Sequence, residues 1–201
     1  GALFRFETSD ESLYKKLHPD CSFAERIEQL KFMQEIGYLT ASGPIIGLPG
    51  QTIESLLDDI YLMKELKITM SSMGPFIPTS DTPLENEIGG TADLTLKMIA
   101  LTRIIYPKAR IPIATALEKI GGNKARIAAL NGGGNAFMLN LTPTQYRDSY
   151  VIYDGKNQLK SHIHSKESID ELDGIIKSCG RKICRGWGTD FTLNKKNFTS
   201  L

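Results

Sequence analysis

The stretch GPIIGLPGQT, residues 43–52, decides how the chain can fold. Isoleucines 45 and 46 form a short apolar run, the glycines and proline at 47–50 interrupt it, and Thr52 precedes the helical pattern IESLLDDIYLMKEL. This order predicts a buried strand that turns sharply into an amphipathic helix. Glycine permits positive φ angles and close approach of a backbone, so the turn is either a tight connection or a ligand-binding loop. The motif is neither G-x-G-x-x-G nor a P-loop.

The same strand-to-helix unit recurs along the chain. Strands are predicted near residues 1–7, 39–47, 70–77, 110–115 and 135–139. Helices are predicted near residues 22–37, 53–66, 94–105 and 124–130. The strands are apolar runs without clean alternation, as in parallel sheets covered by helices. This pattern predicts an α/β protein, either a (β/α) barrel or an open doubly wound sheet, with ligands at the carboxyl ends of the strands.

Composition excludes several classes of partner. The 201 residues include 24 basic and 23 acidic side chains, a net charge of +1, which gives no electrostatic reason to expect nucleic acid or an anionic membrane. No apolar run has the length of a membrane span, and no signal peptide is recognisable. Three cysteines do not make a disulfide framework, so we expect a cytoplasmic location. Because Gly1 lies inside a predicted strand, we expect that the start of the protein is missing.

Charged residues suggest a few candidate positions. Arg5 and Glu7 alternate with phenylalanines and share one face of the first strand, where they form either a salt bridge or part of a site. Arg26 lies in the first turn of a helix, where a cation opposes the macrodipole, so it either faces solvent or binds an anion. Asp58 and Asp59 follow Glu54 on a helix and are predicted to form a solvated face.

Metal binding is not predicted from the residues. His162 and His164 have no third ligand nearby and are interpreted as part of a polar loop. Cys179 and Cys184 are separated by four residues and have no matching second pair, so a zinc site is rejected. The NGGG stretch at 131–134 predicts a helix end.

Taken together, the motifs resemble one known family. The segments RFET, SFAERIEQL, GLPGQT, GPFIPTSDTPL, YRDSYVIYDGK and GRKICRGWG, spread from Phe4 to Gly188, are similar to the HydE family of FeFe-hydrogenase maturases, radical S-adenosylmethionine (SAM) enzymes related to biotin synthase. The resemblance implies a TIM-barrel-type (β/α)8 fold, of which this chain carries about strands 4 to 8. Residues 1–160 would form this partial barrel, and residues 161–201 a C-terminal helical extension packed on it.

The resemblance also implies cofactors. These are SAM and a 4Fe–4S cluster, but the family motif C-x-x-x-C-x-x-C is absent from this sequence. We therefore expect the cluster ligands in a missing N-terminal part, and this chain alone to be inactive and without bound metal. The segment after YDGK has none of the cysteines that hold an accessory cluster in some members, so no second cluster is expected.

Site residues follow from the same resemblance. Glu7 and Arg26 match SAM contacts, and Gly47 and Pro49 lie in the turn near SAM. Positions at or near the inner substrate cavity are Arg5, Thr115, Met138, Tyr150 and Tyr153. Ala114 replaces a threonine present in some members, which would alter the anion-binding end of the cavity. No catalytic residue is assigned.

The implied activity is cleavage of SAM to a 5′-deoxyadenosyl radical during maturation of the di-iron subcluster of the hydrogenase H-cluster. The substrate class would be a small cysteine-bound iron carbonyl/cyanide complex, and the partners other maturases and an electron donor, with no nucleic acid or membrane. Two alternatives stay open. One is another biotin-synthase-like enzyme, such as a methylornithine-synthase-like mutase, against which GPFIP and YRDSYVIYDGK argue. The other is a non-catalytic α/β binding module.

Overall fold

The computed structural model describes residues 1–138, 143, 145, 146 and 166–184 of the chain. Within these residues, short strands alternate with helices. The order is β1 (Ala2–Leu3), α1 (Glu11–Leu17), α2 (Phe23–Glu35), β2 (Thr40–Ser42), β3 (Ile45–Ile46), α3 (Ile53–Glu65), β4 (Met70–Ser71), β5 (Gly74–Pro75), α4 (Ala92–Ile105), β6 (Pro112–Ile113), α5 (Thr115–Gly132), β7 (Ala136–Phe137) and α6 (Lys166–Ser178). None of the helices in this part of the chain combines the length and apolar character needed to cross a bilayer.

All described strand pairs are parallel and follow chain order. β1 pairs with β2 and β2 with β4, while β3 pairs with β5 and β6 with β7. Isolated parallel bridges, Met70 to Arg110 and Met73 to Ile113, join the β4–β5 segment to the β6 segment. Because each strand segment lies beside the next one along the chain, the strands form a partial barrel wall. β1 forms one edge of the described sheet, where Leu3 is 52% exposed.

The core lies between this wall and the helices. Phe6, Met73 and Ile111 project from the sheet toward the helices, which contribute Leu30, Ile60 and Leu117. The largest fully buried side chains are Tyr14, Phe6, Leu30, Ile46, Ile60, Met63, Ile68, Met73, Ile99, Ile111 and Leu117. Burial of these apolar side chains stabilises the wall from one face alone.

Local signals account for several helix boundaries. Thr52 and Ser55 form a reciprocal capping box at the start of α3, with both hydrogen bonds at 3.1 Å. Gly37 follows α2 with a φ of 94°, and Gly133 caps α5 with a φ of 129°, as the sequence predicted for both helix ends.

Two helices differ from the prediction. Helix α1 was not predicted, although Asp10 caps it by accepting hydrogen bonds from the backbone N–H groups of Ser12 and Leu13. Helix α5 begins at Thr115 rather than near residue 124, and it is kinked at Gly122, which has a φ of 58° and a ψ of −158°. The predicted strand at 110–115 is therefore too long. Burial of Ala116 and Leu117 favours helix despite the glycines that follow.

Arg126 joins α6 to the rest of the described structure. Its side chain is 4% exposed, and Nη1 contacts Glu118 at 3.0 Å and Glu171 of α6 at 4.0 Å. The guanidinium also lies 5.3 Å from the centre of the Phe137 ring. Burial raises the pKa of Glu118, and the charge of Arg126 opposes that rise. The division at residue 160 lies outside the described residues and stays a prediction.

We expect Arg126→Ala to lower the free energy of unfolding by about 2–4 kcal/mol, because Glu118 would keep a half-buried charge without its partner. Lys97→Ala is the control, since Lys97 and Asp93 form an exposed pair on α4 that contributes less than about 1 kcal/mol. Urea unfolding measures both changes. Equal effects of the two substitutions would contradict this role of Arg126.

Candidate functional site

The carboxyl ends of the parallel strands form one edge of the wall, which we call the mouth; it comprises residues 4–9, 43–51, 72–78 and 112–115. Side chains alternate between the two faces of a strand. Because Met73, Ile111 and Ile113 face the helices, their neighbours Ser72, Pro112 and Ala114 face the opposite side. These are small side chains, and Ser72 and Pro112 are buried.

Arg5 and Glu7 form the predicted pair. Nε of Arg5 lies 3.4 Å from Oε2 of Glu7, and both side chains are 24% exposed. Arg5 also donates from Nη2 to the carbonyl oxygen of Pro44 on the next strand. Nε of Arg5 and Oε2 of Glu7 are themselves buried without a hydrogen-bond partner in the described part of the chain. The salt bridge therefore exists, and its two facing atoms are buried and form no hydrogen bond with another described residue.

Glu7 lies in a strained turn. Its φ is 67°, in the left-handed region, and the N–H of Thr8 donates to the carbonyl oxygen of Phe6 at 2.8 Å. A hydrogen bond across one residue with positive φ defines the rare, strained form of the γ-turn. Such strain persists only where surrounding contacts impose it, and it is common at functional sites.

Gln51 organises the GLPGQT turn. Its Oε1 accepts hydrogen bonds from the N–H groups of Gly47 at 2.7 Å and Leu48 at 3.2 Å. Its Nε2 donates to the carbonyl oxygen of Ile45 at 3.0 Å. The backbone donors at 47 and 48 are thus occupied within the turn, which favours the tight connection over an anion-binding loop.

A backbone contact explains the glycine at 47. Gly47 has a φ of 82°, and a Cβ placed there would lie 2.6 Å from the Cα of Gly90. The N–H of Gly90 in turn donates to the carbonyl oxygen of Phe76 at 2.9 Å. The second strand end thus packs on the loop that follows the third. Contact of Gly47 or the half-buried Pro49 with SAM stays a prediction.

Asp59 corrects one sequence interpretation. It does not lie on a solvated face but is fully buried on α3, whereas Asp58 is exposed. Its Oδ1 accepts a hydrogen bond from the N–H of Ser9 at 2.6 Å, and Oδ2 lies 3.5 Å from Nε2 of Gln51. Burial raises the pKa of Asp59 to about 7; the Ser9 hydrogen bonds oppose the rise, while the charges of Asp58 and Asp10 add to it.

Arg26 lies against the first strand, close to the mouth. Its guanidinium carbon is 4.0 Å from the centre of the Phe4 ring, and Nε donates to the hydroxyl oxygen of Tyr14 at 3.1 Å. Sequence reasoning missed Tyr14 because helix α1 was not predicted. Arg5 and Glu7 are thus in contact at the end of the first strand, whereas Arg26 contacts Phe4 of that strand and forms no hydrogen bond or ion pair with either of them within the described residues.

The remaining predicted residues are less closely grouped. Thr115 is exposed at the first position of α5, and Met138 follows β7 with 51% exposure. Tyr150 and Tyr153 lie outside the described residues. In the part of the chain that the structure describes, neither Thr115 nor Met138 forms a hydrogen bond or ion pair with Arg5, so a shared cavity for them stays a prediction.

Cysteine and histidine positions offer no metal cage in the described residues. There, no group of three or more His, Cys, Asp or Glu side chains could hold a metal ion. Cys21, Cys179 and Cys184 form no disulfide within the described residues, and His162 and His164 lie outside them.

Comparison with known proteins identifies the family. Residues 72–172 match the Biotin and Thiamin Synthesis associated domain. The chain belongs to the biotin-synthase-like radical SAM family. It is 44% identical over 190 residues to the [FeFe] hydrogenase maturase subunit HydE of Thermotoga maritima, covering 92% of this chain and 53% of that protein.

Two further relatives are methylornithine synthases. The 3-methylornithine synthase of Methanosarcina acetivorans is 37% identical over 177 residues, covering 88% of this chain and 46% of that protein. The crystal structure of methylornithine synthase (PylB) matches with a TM-score of 0.71 and 26% identity, covering 91% of this chain and 52% of that one. This match to a radical SAM TIM barrel confirms the predicted fold class. The chain spans about half the length of the relatives it matches.

We expect Gly47→Ala to destabilise the protein by about 2–4 kcal/mol, since left-handed strain adds to a clash with the Gly90 backbone. Gly50→Ala is the matched control. Gly50 also has a positive φ, 87°, but an added Cβ would meet only the flexible side chain of Leu13 at 3.9 Å. Thermal unfolding compares the two variants. A loss for Gly47→Ala no larger than for Gly50→Ala would show that the close contact is unimportant.

Asp59 makes stability depend on pH. Its pKa is about 7 in the folded protein against 3.8 for an ordinary aspartate, so the folded state binds more protons between these values. The contribution of Asp59 to stability therefore falls as pH rises from about 4 to about 7 and is constant above. We expect the melting temperature of Asp59→Asn to increase relative to that of the unsubstituted protein as the pH rises across this range.

Asp58→Asn, which changes an exposed neighbour on the same helix, is the control for that measurement. Its melting temperature should run nearly parallel to that of the unsubstituted protein. A constant difference between Asp59→Asn and the unsubstituted protein from pH 4 to 8 would mean that Asp59 is charged in the fold.

Proposed function

We propose that the mouth binds SAM through Glu7 and Arg26. The observation that carries this proposal is the occurrence of two charged side chains of opposite sign near one strand end, Glu7 after the first strand and Arg26 on α2 against Phe4. Oε2 of Glu7 has no hydrogen-bond partner in the described residues, and only Nε of the Arg26 guanidinium donates to another described residue. The methionine end of SAM carries an ammonium and a carboxylate, which are complementary to these two side chains.

Glu7 serves as the acceptor. Its carboxylate is held by the strained turn and by the ion pair between Oε2 and Arg5, which orient Oε2 before a ligand binds. An ammonium or the ribose hydroxyls of SAM would donate to this oxygen. Because the side chain is mostly buried, such a charge-assisted hydrogen bond is stronger than one in open solvent.

Arg26 serves as the donor. A guanidinium presents its N–H groups in a planar fork that matches a carboxylate, which lysine cannot reproduce. Arg5 and Ala114 would lie deeper on the inner face, beside the substrate. With alanine rather than threonine at 114, the chain presents one hydroxyl fewer there to a polar substrate.

The described residues do not offer the ligand set of an iron–sulfur cluster, which prefers cysteine thiolates. We therefore propose that a 4Fe–4S cluster is bound by residues outside this part of the chain. When bound together, SAM and a reduced cluster supply radical chemistry by reductive cleavage of the SAM sulfonium. The contribution of this chain is to bind and orient SAM and to exclude water from the mouth.

We propose that the full-length protein takes part in maturation of the di-iron subcluster of FeFe hydrogenase. The support is the 44% identity to a HydE protein over 92% of the chain. The proposed substrate is a small cysteine-bound iron carbonyl/cyanide complex, with other maturases and an electron donor as partners in the cytoplasm. No separate accessory cluster is proposed.

A methylornithine synthase is the second candidate, because a solved structure with that activity covers 91% of the chain. The lower identities, 37% and 26%, make it the weaker one. Two assays distinguish the candidates. Restoration of hydrogenase activity in a host lacking its own HydE supports the maturase, and formation of 3-methylornithine supports the synthase.

We expect Arg26→Lys, in the full-length protein, to weaken SAM binding by roughly ten- to a hundredfold, because a charge-assisted contact of about 1.5–3 kcal/mol loses its paired donors. Anaerobic calorimetry measures the affinity. Arg181→Lys is the matched control, since Arg181 donates to the carbonyl oxygen of Gly134 before β7, at the other end of the strands. Unchanged SAM affinity in Arg26→Lys and Arg26→Ala would remove Arg26 from the site.

A further inference from the structure

Tyr14 is a buried residue whose side chain makes one polar contact among the described residues. Its side chain is 1% exposed, and its ring packs against His18 at 4.8 Å and Phe23 at 5.4 Å between ring centres. Its hydroxyl oxygen accepts the hydrogen bond from Nε of Arg26 at 3.1 Å. Because the ring is enclosed by α1 and α2, the hydroxyl oxygen is a fixed acceptor.

The Phe4 ring supplies a second constraint on Arg26. The guanidinium carbon lies 4.0 Å from the ring centre, within the range of a cation–π contact. Phe4 therefore restrains the guanidinium from one side, and Tyr14 restrains its rotation by occupying Nε. Two contacts from different elements leave the arginine little freedom.

Among the described residues, none occupies the remaining edge of the guanidinium. Nη1 and Nη2 donate to no other described residue, and no carboxylate of the described residues lies within 4.0 Å of Arg26. A guanidinium can bind a carboxylate either through Nε and one Nη or through both Nη atoms. Since Tyr14 occupies Nε, only the edge formed by both Nη atoms is available for paired hydrogen bonds.

We infer that Tyr14 is a positioning residue that directs the two terminal nitrogens of Arg26 toward the carboxylate of the bound ligand. The inference rests on the proposed function, in which Arg26 pairs with the carboxylate of SAM. It makes a specific claim about ligand chemistry. Loss of the Tyr14 hydroxyl should weaken only ligands that carry the carboxylate.

The test uses Tyr14→Phe in the full-length protein under anaerobic conditions. Phenylalanine keeps the packed ring and removes only the oxygen. Calorimetry would measure the affinity for SAM and for decarboxylated SAM, which retains the adenosine, sulfonium and ammonium. We expect about a five- to tenfold loss for SAM and less than a twofold change for decarboxylated SAM. Tyr61→Phe, at an exposed position on α3, is the control for the substitution itself.

A double variant tests whether Tyr14 affects SAM affinity through Arg26. Tyr14→Phe should cause no further loss of SAM affinity in an Arg26→Ala background, since contacting residues in one network are not additive. Phe4→Leu, which keeps apolar bulk and removes the ring face, should produce the same carboxylate-selective loss. It provides the test if Tyr14→Phe does not fold.

The outcomes distinguish the positioning role of Tyr14 from the proposed binding of SAM by Arg26. Equal weakening of both ligands by Tyr14→Phe, or an additive loss in the double variant, would assign Tyr14 a purely structural role and overturn the inference while leaving Arg26 in the site. Unchanged SAM affinity in Arg26→Ala would overturn the proposed function, and with it the role of Tyr14.

Discussion

The arrangement of the mouth depends on one buried carboxyl group, that of Asp59. From helix α3 it contacts the N–H of Ser9, two residues beyond Glu7, and it lies beside the amide of Gln51, which organises the GLPGQT turn. A single side chain behind the wall thus connects the ends of two neighbouring strands. The strained backbone of Glu7 persists because this contact restrains the chain that follows it.

Stability and ligand chemistry lie on opposite faces of the wall. The helix-facing side is apolar and closely packed, whereas the other side carries small residues, Arg5 and Glu7, whose Oε2 forms no hydrogen bond with another described residue. Polar atoms left unpaired at a strand end are costly unless a ligand completes them. The strain and the incomplete hydrogen bonding therefore occur together, at the end of the strands where radical SAM relatives are expected to bind their cofactor.

Much of the architecture could be predicted because its signals are local. Apolar runs, the Thr52 cap and the helix stop at Gly133 depend on neighbours within a turn or two. Contacts distant in sequence could not be seen: the glycine at 47 is explained by Gly90, and Asp59 is buried beneath loops from other units. Helix α1 has local signals, the Asp10 cap and lysines in its last turn, but its seven residues are too few for the apolar periodicity that identifies the longer helices. The site residues came from family resemblance, since pattern alone left Arg5, Glu7 and Arg26 ambiguous.

The most direct measurement of the central claim is a crystal structure of the full-length protein with its cluster and SAM bound. The account predicts the methionine carboxylate within hydrogen-bonding distance of both terminal nitrogens of Arg26. It also predicts Oε2 of Glu7 on the ammonium or on a ribose hydroxyl. SAM bound with its carboxylate remote from Arg26, and with Glu7 still contacting Arg5 alone, would contradict the account.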